Sequence, residues 1–488
     1  MKNNLIKVEP SIYNIINTLN RLGHQSLIVG GAVRDAILGI TPKDIDIEVF
    51  KISYDGLMNF LSKYGKVDLV GKNFGVIKFK PTNGIGIDYD FSVPRKENKI
   101  GVTHKDFEVI FDIDMKIEDG AIRRDFTFNA LAYDPIKDII YDYFGGLNDL
   151  RDKVIRHTSD KFEEDYLRIL RCMGFQSRFD FSIHTSTIEK MKNMLGEEFD
   201  ASNEYLSLPK ERLFEEFKKW AQKGIRHDLI FQFMYDTNLI NYYPVLKALE
   251  DTQQDPLWHP EGNVRTHSEM CLKQIDRIIL ENNITGNEKI ILVFSTILHD
   301  IAKPNCTENQ MKNGRMTITS NGHEAMGGIV AREFLENIGF NEELIDPICK
   351  LIENHLAGVN ISLIPSQSGK VKAVKKLSRR LFPATIKQLL YIMQADTRGR
   401  GEASESKVPT GYKEISEIAN ELTVTESKYE YILMGRHLIN EGLIPSDSFG
   451  IILKKSQEAQ ENGEFNDLEG GLKWLKEYLK IWDKKYFE

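Results

Sequence analysis

Apolar and polar positions form a strand-like period of two at two places near the N-terminus. In Ser26–Phe50, SLIVGGAVRDAILGITPKDIDIEVF, the apolar run Leu27-Ile28-Val29 ends on Gly30-Gly31. The stretch from Ala32 to Leu38 can form a helix, stopped by Gly39 and Pro42. DIDIEVF then places Asp44, Asp46 and Glu48 on one strand face and Ile45, Ile47 and Val49 on the other. GIGIDYDF alternates in the same way, with Ile87, Tyr89 and Phe91 on one face and Asp88 and Asp90 on the other. SIYNIINTLNRLG, ended by Gly23, and YDGLMNFLSKYG read as amphipathic helices. A strand is expected near Val67–Val70, and GKNFGVIKFKP turns at Gly71 and Gly75 into another. From Phe162 the period changes to that of helices. FEEDYLRILRCMGFQSRF comes first, with Asp165 and Arg168 expected on one helix face.

Composition narrows the class. The 488 residues suggest two to four structural units, and 41% hydrophobic with 28% charged residues is ordinary for a globular chain. No apolar run approaches the ~20 residues needed to cross a bilayer, and MKNNLIKVEP lacks the apolar core of a signal peptide. The cysteines Cys172, Cys271, Cys306 and Cys349 form no CxxC pair, which points to a reducing cytoplasm and away from a cysteine-based zinc site. A net charge of −8 does not advertise nucleic-acid binding, although a local patch can act alone. One such run is Lys370–Arg380, KVKAVKKLSRR, for which a solvated helix face is the nearer reading.

The chemistry concentrates at the two alternating stretches. Paired glycines let a backbone approach a ligand closely, with N–H groups free to cradle a phosphate. Asp44 and Asp46, two residues apart just beyond that turn, can hold a divalent cation. GG-x-x-R-D followed one helix later by D-x-D resembles the catalytic signature of nucleotidyltransferases of the DNA polymerase β superfamily. That resemblance implies that Gly30 and Gly31 hold the triphosphate, helped by Arg34, and that Asp44 and Asp46 bind Mg²⁺. It also implies a third carboxylate on a neighbouring strand. Asp90, nearer to Arg95 than Asp88 is, takes that place as a catalytic residue.

Later motifs extend the resemblance in the same order. Arg95-x-Glu97 opens a stretch similar to a flexible loop, and RRDFTFNALA supplies Arg124 for triphosphate or sugar, Asp125 as a helix cap and Asn129 for ribose. Gly145-Gly146 and Asp149-Leu150 are similar to the link into the helical part. Glu164-Asp165-x-x-Arg168 resembles the base-reading motif of class II nucleotidyltransferases, in which an accepting Asp and a donating Arg match a Watson–Crick edge. Arg171 follows as a further nucleotide-binding residue, and Glu211-Arg212 resembles the next motif. Over Ser26–Trp220 the chain resembles the class II tRNA nucleotidyltransferases, which add CCA, and the bacterial poly(A) polymerases.

The second half carries other chemistry. Pro256, Pro260 and Gly262 mark a boundary. His267, His299-Asp300, His323, His355 and Asp396 together resemble the HD superfamily of metal-dependent phosphohydrolases. Imidazoles and carboxylates suit Mn, Fe, Co, Ni or Zn better than Mg alone. After the polar stretch GEASESKVPTG, a tail containing Gly435-Arg436, Gly442, Pro445 and Gly450 is similar to that of HD-bearing relatives.

The expected fold is an α+β, polymerase β-like nucleotidyltransferase head with a small mixed sheet, followed by an all-α neck and body and an all-α HD domain. The expected boundaries are 1–147 for the head, 148–255 for the neck and body, 256–400 for the HD domain and 401–488 for a helical tail. The expected activity is template-independent CCA addition to tRNA from CTP and ATP, in the cytoplasm, with no membrane association and no obligate protein partner. A 2′,3′-cyclic phosphodiesterase or phosphatase accompanies it in the HD half. Alternatives are a poly(A) polymerase, a CC-only or A-only enzyme, or an HD phosphohydrolase with a regulatory nucleotidyltransferase half.

Overall fold

The computed structural model describes residues 5–71, 75–82, 89–99, 107–312 and 314–486, with the backbone alone at 69–71, 96–99, 107–110 and 482–486. Asp88 lies outside the described residues, as does the Glu97 side chain. The chain forms two compact units, Met1–Tyr243 and Pro244–Glu488.

The first unit opens with α1 (Pro10–Arg21), whose Ile12, Ile15, Ile16 and Leu19 are buried. Then come β1 (Ser26–Val29), α2 (Gly31–Ile37), β2 (Ile45–Val49), α3 (Tyr54–Leu61), β3 (Gly65–Gly71), β4 (Val76–Pro81), β5 (Tyr89–Ser92), β6 (Arg95–Lys99), β7 (Phe107–Phe111), α4 (Ile117–Ala121), β8 (Ala132–Asp134), β9 (Ile139–Tyr141) and α5 (Gly146–Asp152). Seven strands make one mixed sheet in the order β3-β4-β5-β2-β1-β8-β9, and β6 with β7 forms a separate hairpin. The period of two does what it predicts in β2: Ile45, Ile47 and Val49 are buried while Asp46 and Glu48 face the other way. Pairing of β2 with β5 is parallel and sets Asp46 opposite Asp90, while the antiparallel pairing of β1 with β2 sets Asp46 beside Val29, the residue before the glycine turn.

Two expectations of local structure are corrected here. RRDFTFNALA makes only a short 3₁₀ turn, Thr127–Asn129, and Asp125 caps no α-helix. Phe126 and Phe128 are both driven into the core, and the chain must be extended again for β8. Asp165 does not share a helix face with Arg168. It is extended, with φ −141° and ψ 108°, and α6 begins after it at Leu167 and runs to Phe179. Its carboxylate accepts the Leu167 N–H at 3.0 Å, the local bonding that makes aspartate favour a helix entrance over a helix interior. A short parallel pair, β10 (Val154–Ile155) and β11 (Ser182–Ile183), flanks α6, and α7 (Thr185–Leu195), α8 (Lys210–Lys223) and α9 (Ile230–Asp236) complete the unit.

The second unit is almost wholly helical: α10 (Pro244–Asp251), α11 (Val264–Glu281), α12 (Gly286–Leu298), α13 (Lys303–Cys306), α14 (His323–Asn337), α15 (Glu342–Asn354), α16 (Ala357–Ser362), α17 (Gln367–Leu381), α18 (Ile386–Arg398), α19 (Tyr412–Glu421), α20 (Gly435–Asn440), α21 (Ser448–Asn462) and α22 (Leu468–Tyr486). One hairpin, β12 (Thr307–Lys312) with β13 (Arg315–Ser320), interrupts them. Ten consecutive residues of α12, Lys289–Leu298, are buried, as a helix apolar on all sides must be. A smaller core of Leu433, Leu438, Ile452, Ala459, Phe465 and Leu475 holds the tail together. The basic run on α17 is no solvated face. Lys375 is buried and donates to Gln460 O, Lys376 pairs with buried Glu461, and Arg379 donates to Tyr429 O and covers the Tyr431 ring. These cations tie the tail to the helices before it.

Candidate active sites

The first site is a cleft of about 810 Å³ in the first unit. Gly30 turns with φ 73°, and a Cβ there would stand 2.6 Å from Arg124 Nη1, so glycine is what lets the guanidinium lie against the turn. Asp44, Asp46 and Asp90 line the cleft beside it. Burial raises the Asp46 carboxyl above the ordinary aspartate range, and the charges of Asp90 and Asp44 raise it further against the opposing pull of Arg124.

A buried polar chain forms the other wall. Arg34 donates to Asn129 Oδ1 at 2.6 Å and to Asp35 Oδ1 through Nε at 2.7 Å, and its guanidinium lies over the Phe175 and Phe179 rings. Asn129 Nδ2 donates to Asp125 Oδ1 at 2.9 Å, and Arg171 Nε to Asp125 Oδ2 at 2.7 Å. Burial alone would raise the Asp125 carboxyl, but the Arg171 charge and the hydrogen bonds from Asn129, Arg171 and the Phe126 N–H outweigh it and hold it below the usual range.

The structure therefore brings Gly30, Gly31, Arg34, Asp44, Asp46, Asp90, Arg124, Asp125, Asn129 and Arg171 to one cleft. Asp165 and Arg168 do not line it. Asp165 accepts from Arg212 Nη2 at 3.3 Å, and Arg168 is turned onto the backbone oxygens of Arg123, at 2.8 Å, and Lys161. The sequence reading missed Arg178, Lys219 and Lys223, which line the cleft from α6 and α8. Their one signal was the i, i+4 spacing of the two lysines.

The second site lies in the second unit. His267, His299, Asp300, His323, His355 and Asp396 come from α11, the end of α12, α14, the end of α15 and α18, and all are buried. Backbone carbonyls fix three ring tautomers: His299 Nδ1 donates to Thr296 O, His323 Nδ1 to Ser320 O and His355 Nδ1 to Ile352 O, at 2.7, 2.6 and 2.7 Å. His267 Nδ1 lies 2.7 Å from Glu261 Oε1. Each ring thus turns Nε2 inward as the atom with a lone pair, which is how metal-binding histidines are held. Asp300 Oδ2 lies 3.2 Å from His299 Nε2 and 3.8 Å from His267 Nε2, whereas Oδ1 lies 3.2 Å from His323 Nε2 and 3.9 Å from His355 Nε2. Asp396 Oδ1 lies 3.1 Å from His267 Nε2. His299 Nε2 is buried without a hydrogen bond, and Asp300 Oδ2 also meets Lys303 Nζ at 2.7 Å. Buried imidazoles and carboxylates clustered at this density fit divalent cations.

Glu261 and Cys271 escaped the sequence reading. Glu261 sits six residues before His267 with no periodic signal. Cys271 is one helical turn after it, its sulfur 3.4 Å from His267 Nε2 but also 3.9 Å from Nδ1. It therefore lies alongside the ring and not ahead of the Nε2 lone pair.

Residues 26–156 match the Poly A polymerase head domain. A multifunctional CCA protein of Pasteurella multocida is 30% identical over 383 residues, spanning 76% of this chain and 83% of that protein. The chain belongs to the multifunctional CCA protein family. Its relative in Tolumonas auensis is 28% identical over 390 residues, covering 79% of this chain and 87% of that protein. The fold is similar to that of the Bacillus stearothermophilus CCA-adding enzyme in complex with CTP, with a TM-score of 0.60 at 19% identity over 98% of this chain and 100% of that one. It is also similar to the Thermotoga maritima CCA-adding enzyme complexed with tRNA, with a TM-score of 0.53 at 19% identity over 97% and 96%. Within this multifunctional CCA protein family member, the head match ends at residue 156, so the His/Asp cluster lies outside it.

Proposed function

We propose that the first unit adds C, C and A to the 3′ end of tRNA from CTP and ATP, with Asp44, Asp46 and Asp90 as its catalytic carboxylates. The observation that carries this reading is the register that sets Asp46 opposite Asp90 on parallel strands, next to a glycine turn occupied by Arg124. The three carboxylates offer only oxygen donors, which fits Mg²⁺. When bound, the ions activate the 3′-hydroxyl and neutralise the triphosphate. Arg124 and the backbone after Gly30 receive the phosphates. Arg34, Asp125, Asn129 and Arg171 hold one another rigid and shape the sugar and base side of the cleft. Asp165 and Arg168 choose between bases once Arg212 and the backbone oxygens release them. The acceptor stem is held by shape and backbone contacts, since any tRNA must be accepted.

The second unit is, on this reading, an HD-type phosphohydrolase acting on cyclic or terminal phosphate esters, with a transition metal such as Mn, Ni, Co, Fe or Zn. Four inward-facing imidazoles and two carboxylates support it. Metal bound there supplies a hydroxide at neutral pH. The finer division into head 1–147, neck 148–255, HD domain 256–400 and tail 401–488 belongs to the same proposal. No helix among the described residues is long and apolar enough to cross a membrane, and we assign the protein to the cytoplasm with its tRNA.

Primer extension tests the first half. With tRNA lacking CCA and Mg²⁺, two additions with CTP and a third only when ATP follows are expected. A long ladder with ATP alone would instead assign a poly(A) polymerase. Arrest after C-C with both nucleotides present, or addition only to a tRNA already ending in C-C, would assign a partial enzyme. No extension at all would leave the head as a regulatory scaffold for the HD unit.

A further inference from the structure

The His/Asp cluster opens into a cavity of about 310 Å³, at the small end of the ~300–1,000 Å³ found for ligand pockets. Its floor is ionic: Asp300, His323, His355 and Asp396, with the cations Lys303 and Arg400 beside them. Its rim is not. Trp258 lines the cavity and is 65% exposed, and its neighbour Leu257 is 63% exposed. A large apolar pair left in water at the mouth of a polar cavity is not explained by packing.

The loop that carries Trp258 is held stiffly. Asp255 Oδ1 accepts the Leu257 N–H at 2.9 Å, and Asp255 O accepts the N–H groups of Trp258 and His259 at 3.0 and 2.9 Å. The Asp255 carboxylate also pairs with Arg315 of the β12–β13 hairpin, whose Ile318 shares the cavity wall. On the far side, His259 Nδ1 meets Glu261 Oε1 at 2.8 Å, and the same oxygen orients His267. The backbone that carries the indole is thus fixed relative to the cluster by two separate chains of contacts.

From this arrangement we infer that Trp258 is a specificity-determining residue of the second site: it stacks the base of a nucleoside phosphate ester whose phosphate lies at the His/Asp cluster. The inference rests on the phosphohydrolase reading above. Cations and metal ligands recognise the phosphate of any ester, whereas a flat aromatic face at the rim rewards only a substrate that carries a ring system. The cavity holds one nucleotide and not a duplex.

The test compares 2′-AMP with glycerol 2-phosphate, a monoester without a base, by phosphate release from the full chain supplied with Mn²⁺ or Ni²⁺. Trp258→Ala is expected to raise KM for 2′-AMP about tenfold and to change KM for glycerol 2-phosphate less than about twofold, with Trp258→Phe restoring most of the difference. Binding of 2′-AMP should quench tryptophan fluorescence in the parent protein and not in Trp258→Phe. If the parent hydrolyses neither ester and its fluorescence is not quenched by 2′-AMP, the phosphohydrolase reading and the inference both fall. If the parent hydrolyses both and Trp258→Ala affects them equally or not at all, the inference alone falls. A change in the oligomeric state of Trp258→Ala would make the patch an interface between copies and would also overturn it.

Discussion

Asp46 and Asp90 stand opposite each other on adjacent parallel strands, forty-four residues apart in sequence and in register in the sheet. Two carboxylates in that position repel each other, and a cation held between them would relieve it. Asp46→Asn keeps the shape and removes a charge. Extension of tRNA should fall by more than about 10³-fold, the thermal midpoint should hold or rise, and ester hydrolysis by the second unit should be unchanged. Loss of both activities together would break the assignment of two separate sites.

Asp165 meets Arg212 at 3.3 Å, with side chains 29% and 48% exposed. An ion pair so open to water contributes at most ~1 kcal/mol. Asp165→Ala should therefore cost no more than ~2 kcal/mol, mostly from the lost bond to the Leu167 N–H, while narrowing the preference for CTP and ATP over UTP and GTP. Misincorporation measured with each nucleotide singly checks it, and an unaltered preference would remove Asp165 from base selection.

How much of this was legible beforehand follows from the range of each interaction. Period-two alternation is local, so β2 and the orientation of Asp46 could be read directly. The partner of Asp46 could not, because strand order is set by contacts far apart in sequence; only the resemblance pointed to Asp90. The failure at Asp165 has the opposite origin. Helical spacing continued through it, but its side chain bonds the backbone ahead and stops the helix from starting earlier. The α17 run misled because charge counts do not say whether a lysine has a buried carboxylate waiting for it, as Lys376 has in Glu461. Glu261 was invisible for a further reason: it forms no pattern with its neighbours and reaches His267 only through the fold of the loop before α11.

Asp125 offers a prediction with pH as its variable. Its carboxyl is held below the unfolded value by Arg171 and by hydrogen bonds that outweigh burial. A depressed carboxyl contributes stability that is complete above the unfolded pKa, near 4, and is lost as pH falls through the lower folded value. Asp125→Asn should cost about 2 kcal/mol at pH 7, and the gap to the parent protein should close as the pH is lowered below about 4. Denaturant unfolding at a series of pH values measures it, and a gap that stays constant with pH would show that the Arg171 pair does not supply it.

The two oxygens of Asp300 face different histidine pairs, Oδ2 toward His299 and His267 and Oδ1 toward His323 and His355. One carboxylate between two sets of imidazoles would hold two cations, as the shared carboxylate of a two-metal hydrolase does. Asp396, 3.1 Å from His267 Nε2, would belong to the first. Two ions of a transition metal should therefore bind per chain. Removing the His323 and His355 rings together should reduce this to one and leave the first ion in place, because none of its ligands is altered. Metal analysis after dialysis reads the count, and the thermal midpoint reads the linkage, since ions that bind only the folded state raise it. Chelation should lower the midpoint of the parent protein more than that of the double variant. A count of one in the parent protein, or of none in the variant, would contradict the bridging role of Asp300.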